Sequence, residues 1–141
     1  MEVIEITRID KYYQEERKLR NLVLLRPIGL PDFGWEKFDH IANHFVMIEE
    51  NKVIGCVLLV KKENGRAQLM QMAVEPSNQR KGIGKELLEC LLEFAQKTDL
   101  KDVYCHAREN AVPFYLKNNF KIYDDQFEEV GIVHRYMKFT F

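Results

Sequence analysis

Residues 79–85 read Gln-Arg-Lys-Gly-Ile-Gly-Lys, between a strand-like run at 68–74 and a strongly helical run at 83–96. A glycine-containing turn that leaves a strand and opens a helix fixes a strand–loop–helix unit. The first N–H groups of such a helix have no partner inside it. The helix dipole adds partial positive charge at the same end, so the turn is suited to an anion. Gly82 and Gly84 carry no Cβ and let a ligand come close to the main chain. Arg80, Lys81 and Lys85 surround them with full positive charges. The expected ligand is a nucleotide-like pyrophosphate.

Two familiar glycine loops fit poorly. A Walker-type loop needs G-x-x-x-x-G-K-[ST]. Here Ser77 stands at the first glycine and Glu86 follows Lys85, so no hydroxyl is offered to a magnesium ion. A dinucleotide fingerprint needs G-x-G-x-x-G; its third glycine is Leu87 here.

The pattern [QR]-x-x-G-x-[GA] does fit, through Gln79, Gly82 and Gly84, just after Met72-Ala73-Val74-Glu75-Pro76. Farther on comes Asn110-Ala111-Val112-Pro113-Phe114-Tyr115-Leu116-Lys117-Asn118-Asn119-Phe120. Together these resemble the acetyl-CoA loop and the second signature, N-x-x-A/P-x-x-F-Y-x-K-x-G-F, of the GNAT superfamily of N-acetyltransferases. Asn119 replaces the usual glycine, a mild departure because asparagine tolerates a left-handed turn. The resemblance is firm over about residues 45–122 and looser at both ends.

It implies the GNAT fold: an α/β architecture whose mixed, largely antiparallel sheet splays at the fourth and fifth strands between flanking helices. It also implies acetyl-CoA as co-substrate and acetyl transfer to a primary amine by direct attack in a ternary complex. The cofactor residues it implies are Met72, Ala73, Val74, Gln79, Arg80, Lys81, Gly82, Ile83, Gly84, Lys85, Asn110 and Phe114. Tyr115 matches the family's general acid; with an ordinary pKa near ~10 it is protonated at neutral pH. For the base that must take the amine's proton, His134 is the candidate, with His106 and Glu75 as rivals. A CoA-binding sensor without catalysis is the alternative reading, and a peptide amine the alternative acceptor. A homodimer is compatible with the resemblance.

The remaining residues set bounds. A chain of 141 residues with 46% hydrophobic content suits one domain, residues 1–141, with a core of its own. A net charge of −1 without an isolated basic run argues against nucleic-acid binding. Cys56, Cys90 and Cys105 are odd in number and lack metal-ligand spacing, which suggests reduced thiols in the cytoplasm. No stretch approaches the ~20 apolar residues of a membrane span. His40 and His44, four apart, could share a helix face, but no third metal ligand accompanies them.

Along the chain, residues 3–6 alternate as a strand. Asp10 is placed to cap a helix reaching about Leu25, stopped by Pro27. Residues 28–39 read as an irregular loop carrying Phe33, Trp35 and Phe38. Residues 45–49, 53–60 and 68–74 read as three antiparallel strands, with Asn64-Gly65 as the second hairpin turn. Residues 103–107 form a buried strand, Asn110 caps a short helix, and two closing strands follow. Asp124, Asp125, Glu128 and Glu129 read as a solvated acidic loop.

Overall fold

A computed structural model describes residues 1–141. The strands are β1 (Glu2–Ile6), β2 (Asn43–Glu49), β3 (Lys52–Lys61), β4 (Arg66–Val74), β5 (Asp102–Arg108), β6 (Lys121–Glu129) and β7 (Ile132–Thr140). The α-helices are α1 (Tyr13–Arg20), α2 (Ile83–Lys97) and α3 (Val112–Lys117). The strands make one seven-stranded sheet in the order β1-β2-β3-β4-β5-β7-β6. Every pairing is antiparallel except β4 with β5.

That exception shapes the molecule. β4 and β5 pair only over Arg66–Gln68 and Asp102–Tyr104. Beyond those residues the strands part, and the sheet opens into a V whose two inner edges carry unpaired backbone.

Each face of the sheet has its own apolar cluster. On one side α2 lays Ile83, Leu87, Leu88, Leu91 and Ala95 against Phe45, Met47, Val57 and Leu59. These helix residues recur at the three-to-four spacing that puts them on one face. On the other side α1 packs Tyr13 and Leu19 with Val46, Ile48, Val53 and Cys56. Successive residues of β2 thus alternate between clusters, as strand geometry requires.

β4 breaks that alternation. Ala67 and Leu69 point into the α2 cluster, whereas Ala73 points into the α1 cluster and Met72 and Val74 now pack on the α2 side. The register with β3 skips here: Leu58 faces Met70 and Cys56 faces Ala73, leaving Gln71 and Met72 opposite Val57. Two residues against one is a β-bulge, which flips the facing of everything after it. Gln71 carries the kink at φ 56°.

Several local expectations need correction. The first helix is α-helical only to Arg20; residues Asn21–Leu25 form a π-helical stretch and Arg26–Ile28 a 3₁₀ turn. The side chain of Asp10 accepts from the N–H of Tyr12, a turn bond that precedes the helix rather than capping it. Asn110 does not cap α3; it lies inside a 3₁₀ turn, Glu109–Ala111, which runs directly into the helix. His44 sits on β2 and His40 in a turn, so the two share no helix face. The acidic run at 124–129 belongs to β6, where the pairing with β7 is interrupted between Tyr123 and Phe127. The Asn64-Gly65 turn, with φ 60° and 74°, has the doubly left-handed backbone of a hairpin.

Candidate active site

The parted strands open into a cleft of about 1320 Å³. One half is built from the loop after β4. Residues Pro76–Asn78 make a 3₁₀ turn, and Gly82, at φ 81°, turns the chain into α2. The first bond of that helix runs from the N–H of Glu86 to the carbonyl of Gly82 at 3.1 Å, and no side chain caps it. The N–H groups of Ile83, Gly84 and Lys85 are therefore left for a ligand. A Cβ on Gly82 would touch nothing within 4 Å, so this turn opens outward; one on Gly84 would come 3.4 Å from the Phe114 ring. Gly84 therefore lies beside α3 at a distance where a Cβ would make ordinary van der Waals contact. Free helix-terminal donors, with Arg80 and Lys85 beside them, fit a pyrophosphate.

The start of α2 is held close to the sheet by Gly55 on β3. A Cβ there would lie 2.9 Å from Ile83 Cγ2 and 3.0 Å from Leu87 Cδ1. The first turn of α2 can rest on β3 only because that position has no side chain.

Of the residues expected at the cofactor, Met72, Ala73, Val74, Gln79, Arg80, Gly82, Ile83, Gly84, Lys85, Asn110 and Phe114 line the cleft. Lys81 does not; its ammonium donates to Asn78 Oδ1 at 3.5 Å on the exposed side of the turn. Gln79 ties the loop back to β4, its side-chain amide donating to the carbonyl of Val74 at 3.1 Å.

Tyr115 and His134 also line the cleft. Tyr115 is buried, with Phe114 and Phe120 against its ring at 5.1 and 5.2 Å. Its hydroxyl has no protein partner, yet it is not sealed from solvent. Burial, with a smaller push from Cys105, holds its pKa well above the ordinary value. His134 is buried too, and its Nδ1 lies 2.7 Å from the carbonyl of Ile132. A carbonyl only accepts, so Nδ1 carries the proton and Nε2 keeps a lone pair. Nε2 lies 4.0 Å from Glu129 Oε1, while Glu129 Oε2 accepts from His106 Nδ1 at 2.9 Å. Glu129 therefore joins the two histidines at the cleft edge. The rival Glu75 is not in the cleft. Its carboxylate accepts from Ser77 and Asn78, and these bonds, the Ser77 one foremost, lower its pKa.

Sequence reasoning missed the support behind the bulge. Arg20, 2% exposed, spends its guanidinium on Asp39 at 2.9 and 3.0 Å, the carbonyl of Trp35 at 2.6 Å, Glu16 at 3.4 Å and Gln71 Oε1 at 2.6 Å. Gln71 also donates to the carbonyl of Trp35 at 2.7 Å, and its own carbonyl accepts from the Cys56 thiol at 3.5 Å. The kinked residue is held from both ends. Nearby, His44 Nδ1 lies 3.0 Å from each Glu16 oxygen and Nε2 lies 2.9 Å from the carbonyl of Asp39. Both neighbours only accept, so both ring nitrogens carry protons. Burial alone would lower the pKa of His44, but the bond to Glu16 and its charge raise it. Tyr13 completes the cluster by donating to Asp39 at 2.5 Å. The one available signal was chemical: arginine, two carboxylates and histidine on otherwise core-facing positions must find one another. No group of three or more His, Cys, Asp or Glu side chains is placed to hold a metal. No helix is long and apolar enough to cross a membrane.

The cleft thus sets a splayed sheet edge beside a helix N-terminus that offers free donors. The chain belongs to the GNAT acetyltransferase family: the family model described as "Acetyltransferase (GNAT) domain" matches residues 35–141. The chain is 26% identical over 136 residues to the uncharacterized N-acetyltransferase YjcF of Bacillus subtilis (strain 168), covering 94% of this chain and 95% of that protein. Its fold is shared with an acyl-CoA N-acyltransferase from Pseudomonas aeruginosa, with TM-score 0.85, 18% identity and 97% of each chain covered. An aminoglycoside 6'-N-acetyltransferase complexed with coenzyme A has the same fold, with TM-score 0.84, 15% identity and 99% and 97% coverage. The protein is an acetyltransferase, and the co-substrate of its family is acetyl-CoA.

Proposed function

We propose that the cleft transfers the acetyl group of acetyl-CoA to a primary amine by direct attack within a ternary complex. The observation that carries this reading is the meeting of three features in one cleft. These are the free donors at the start of α2, the bulged edge of β4, and a buried tyrosine whose hydroxyl has no protein partner. Acetyl-CoA supplies an acetyl group activated as a thioester. Ile83, Gly84 and Lys85 offer main-chain N–H groups to its pyrophosphate, and Arg80 offers charge. The edge of β4 beyond Gln68 has lost β5 as a partner, so it can take an extended arm as an added strand. The backbone at Gln71–Met72, turned out of the ladder, is the candidate donor for the carbonyl oxygen on which negative charge develops.

An ammonium acceptor loses one proton to reach the free amine, and its nitrogen loses another on forming the amide. One of these restores the thiol and the other leaves to solvent. His134 Nε2 accepts a proton in this reading, supported by its free lone pair and by Glu129 beside it to stabilise the imidazolium. Tyr115 donates to the departing sulfur, where the C–S bond breaks. Because burial penalises its phenolate, and an ordinary thiol has pKa about 8.5, Tyr115 acts chiefly by a held hydrogen bond, not as a standing phenolate.

The test is CoA release across an amine panel. Tyr115→Phe lowers kcat by roughly 10²-fold or more with acetyl-CoA affinity unchanged, as expected for lost general-acid assistance. His134→Gln lowers kcat most at low pH, where fewer amines are already neutral. Unchanged turnover in Tyr115→Phe removes the tyrosine from the chemistry.

A further inference from the structure

We propose that the acceptor is an amine that also carries a carboxylate, held with the carboxylate on Arg108 and the amine at Glu129 and His134. This rests on the acetyl-transfer reading and specifies its substrate class.

The cleft is lined by more than the α2 loop and β4. Leu24, Trp35 and Phe38 give it an apolar wall. Elsewhere in the protein Arg17, Arg20, Arg26 and Arg66 each have a carboxylate within 3.4 Å. Arg108, half-buried at the end of β5, has none. One of its N–H groups donates to the carbonyl of Leu24 at 3.1 Å, at the π-helical end of the first helix. The Trp35 ring lies 6.0 Å from its guanidinium carbon. A guanidinium has five donors, so this single bond fixes the group in place and leaves donors free. None of those nitrogens is sealed from solvent. A planar fork, held and unfilled, suits a bidentate carboxylate.

Burial lowers the pKa of Arg108, and Glu129 is near enough to raise it in part. The cleft therefore presents a cation on β5 and an anion on β6, with β7 between them. Glu129 is the only carboxylate lining the cleft and sits beside Nε2 of His134. A ligand with an ammonium and a carboxylate a few bonds apart would match both. A plain alkyl amine would leave Arg108 desolvated without a counter-charge. An aliphatic or aromatic side chain on the acceptor would lie against Leu24, Trp35 and Phe38.

The experiment measures CoA release from acetyl-CoA with three matched amines: phenylalanine, phenylalaninamide and 2-phenylethylamine. Because their amines differ in basicity, the quantity read is the ratio of kcat/KM for the acid to that for each analogue, compared between proteins. In the native protein phenylalanine is the best of the three. In Arg108→Gln the ratio falls by about 10- to 100-fold, the effect of losing a hydrogen-bonded charge pair. Arg108→Lys, which keeps the charge and loses the fork, falls part of the way. Acetyl-CoA titration of each variant shows that the fold and the cofactor half are intact. A ratio that is the same in native protein and Arg108→Gln overturns the proposal. So does acetylation of phenylethylamine in preference to phenylalanine, which leaves acetyl transfer to amines standing. No CoA release with any amine overturns both.

Discussion

Replacing Arg20 by leucine removes the cation around which the buried network behind β4 is arranged. In the native protein its guanidinium bonds two carboxylates, the carbonyl of Trp35 and the side chain of Gln71, while being 2% exposed. Leucine restores much of the apolar volume but none of the donors. Asp39 and Glu16 would then share the charge of His44 alone, at 4% and 0% exposure. Removing one partner of a buried ion pair costs about 3–5 kcal/mol, because the other charge stays behind. Against a total stability of roughly 5–15 kcal/mol, that is a large fraction. Urea unfolding followed by the fluorescence of Trp35, the only tryptophan, and by far-ultraviolet circular dichroism measures it. Adding Asp39→Asn to Arg20→Leu recovers part of the loss, since the stranded carboxylate is gone. A loss below about 1 kcal/mol for the single variant, within the range of exposed pairs, would refute the claim that this network is buried and charged.

Gly55→Ala forces the first turn of α2 away from β3, because its Cβ would lie 2.9 Å from Ile83; roughly 1–3 kcal/mol of stability and measurable acetyl-CoA affinity are lost together. Equal denaturation midpoints for the variant and the native protein would count against that packing. Gly82→Val costs about 1–2 kcal/mol for a left-handed branched residue and weakens acetyl-CoA binding roughly tenfold or more. Native affinity in that variant, read by calorimetry, removes the loop from the cofactor site. His44 gives a pH dependence. Its folded pKa is raised above the ordinary 6.5, so its contribution is complete below that pH and is lost as pH rises through the folded value. The urea midpoint should therefore fall as pH rises above 6.5 more steeply in the native protein than in His44→Gln, and identical slopes contradict the assignment.

What could be read in advance was what local chemistry determines. The strand–glycine–helix unit, the apolar face of α2 and the Asn64-Gly65 turn each depend on neighbours a few residues away, whereas the role expected of Tyr115 came from the family resemblance. Asn119, the departure from the expected glycine, takes φ 68°, as an asparagine in a left-handed turn does. The bulge was not legible to the residue. Gln68 to Val74 reads as an ordinary strand, and the extra residue shows only in the register with β3 and in the change of facing from Leu69 to Met72. Arg20, Glu16, Asp39 and His44 come from three separate segments, and only the tertiary fold brings them within 3.4 Å of one another. The π-helical end of the first helix was hidden for a related reason. Its leucine-rich run suits any helix, and nothing in that run marks the wider turn. Arg108 lies just past the strand read at 103–107, and only the tertiary fold brings its guanidinium to the carbonyl of Leu24 without an ion pair.

The central claim is that the splayed cleft and the start of α2 hold acetyl-CoA. Calorimetric titration of the purified protein with acetyl-CoA, with adenosine diphosphate as control, tests it most directly. One saturable site that prefers acetyl-CoA is expected, because the edge of β4 and the bulge add contacts that the pyrophosphate alone cannot use. No binding by protein shown to be folded, or equal affinity for the two ligands, would contradict it.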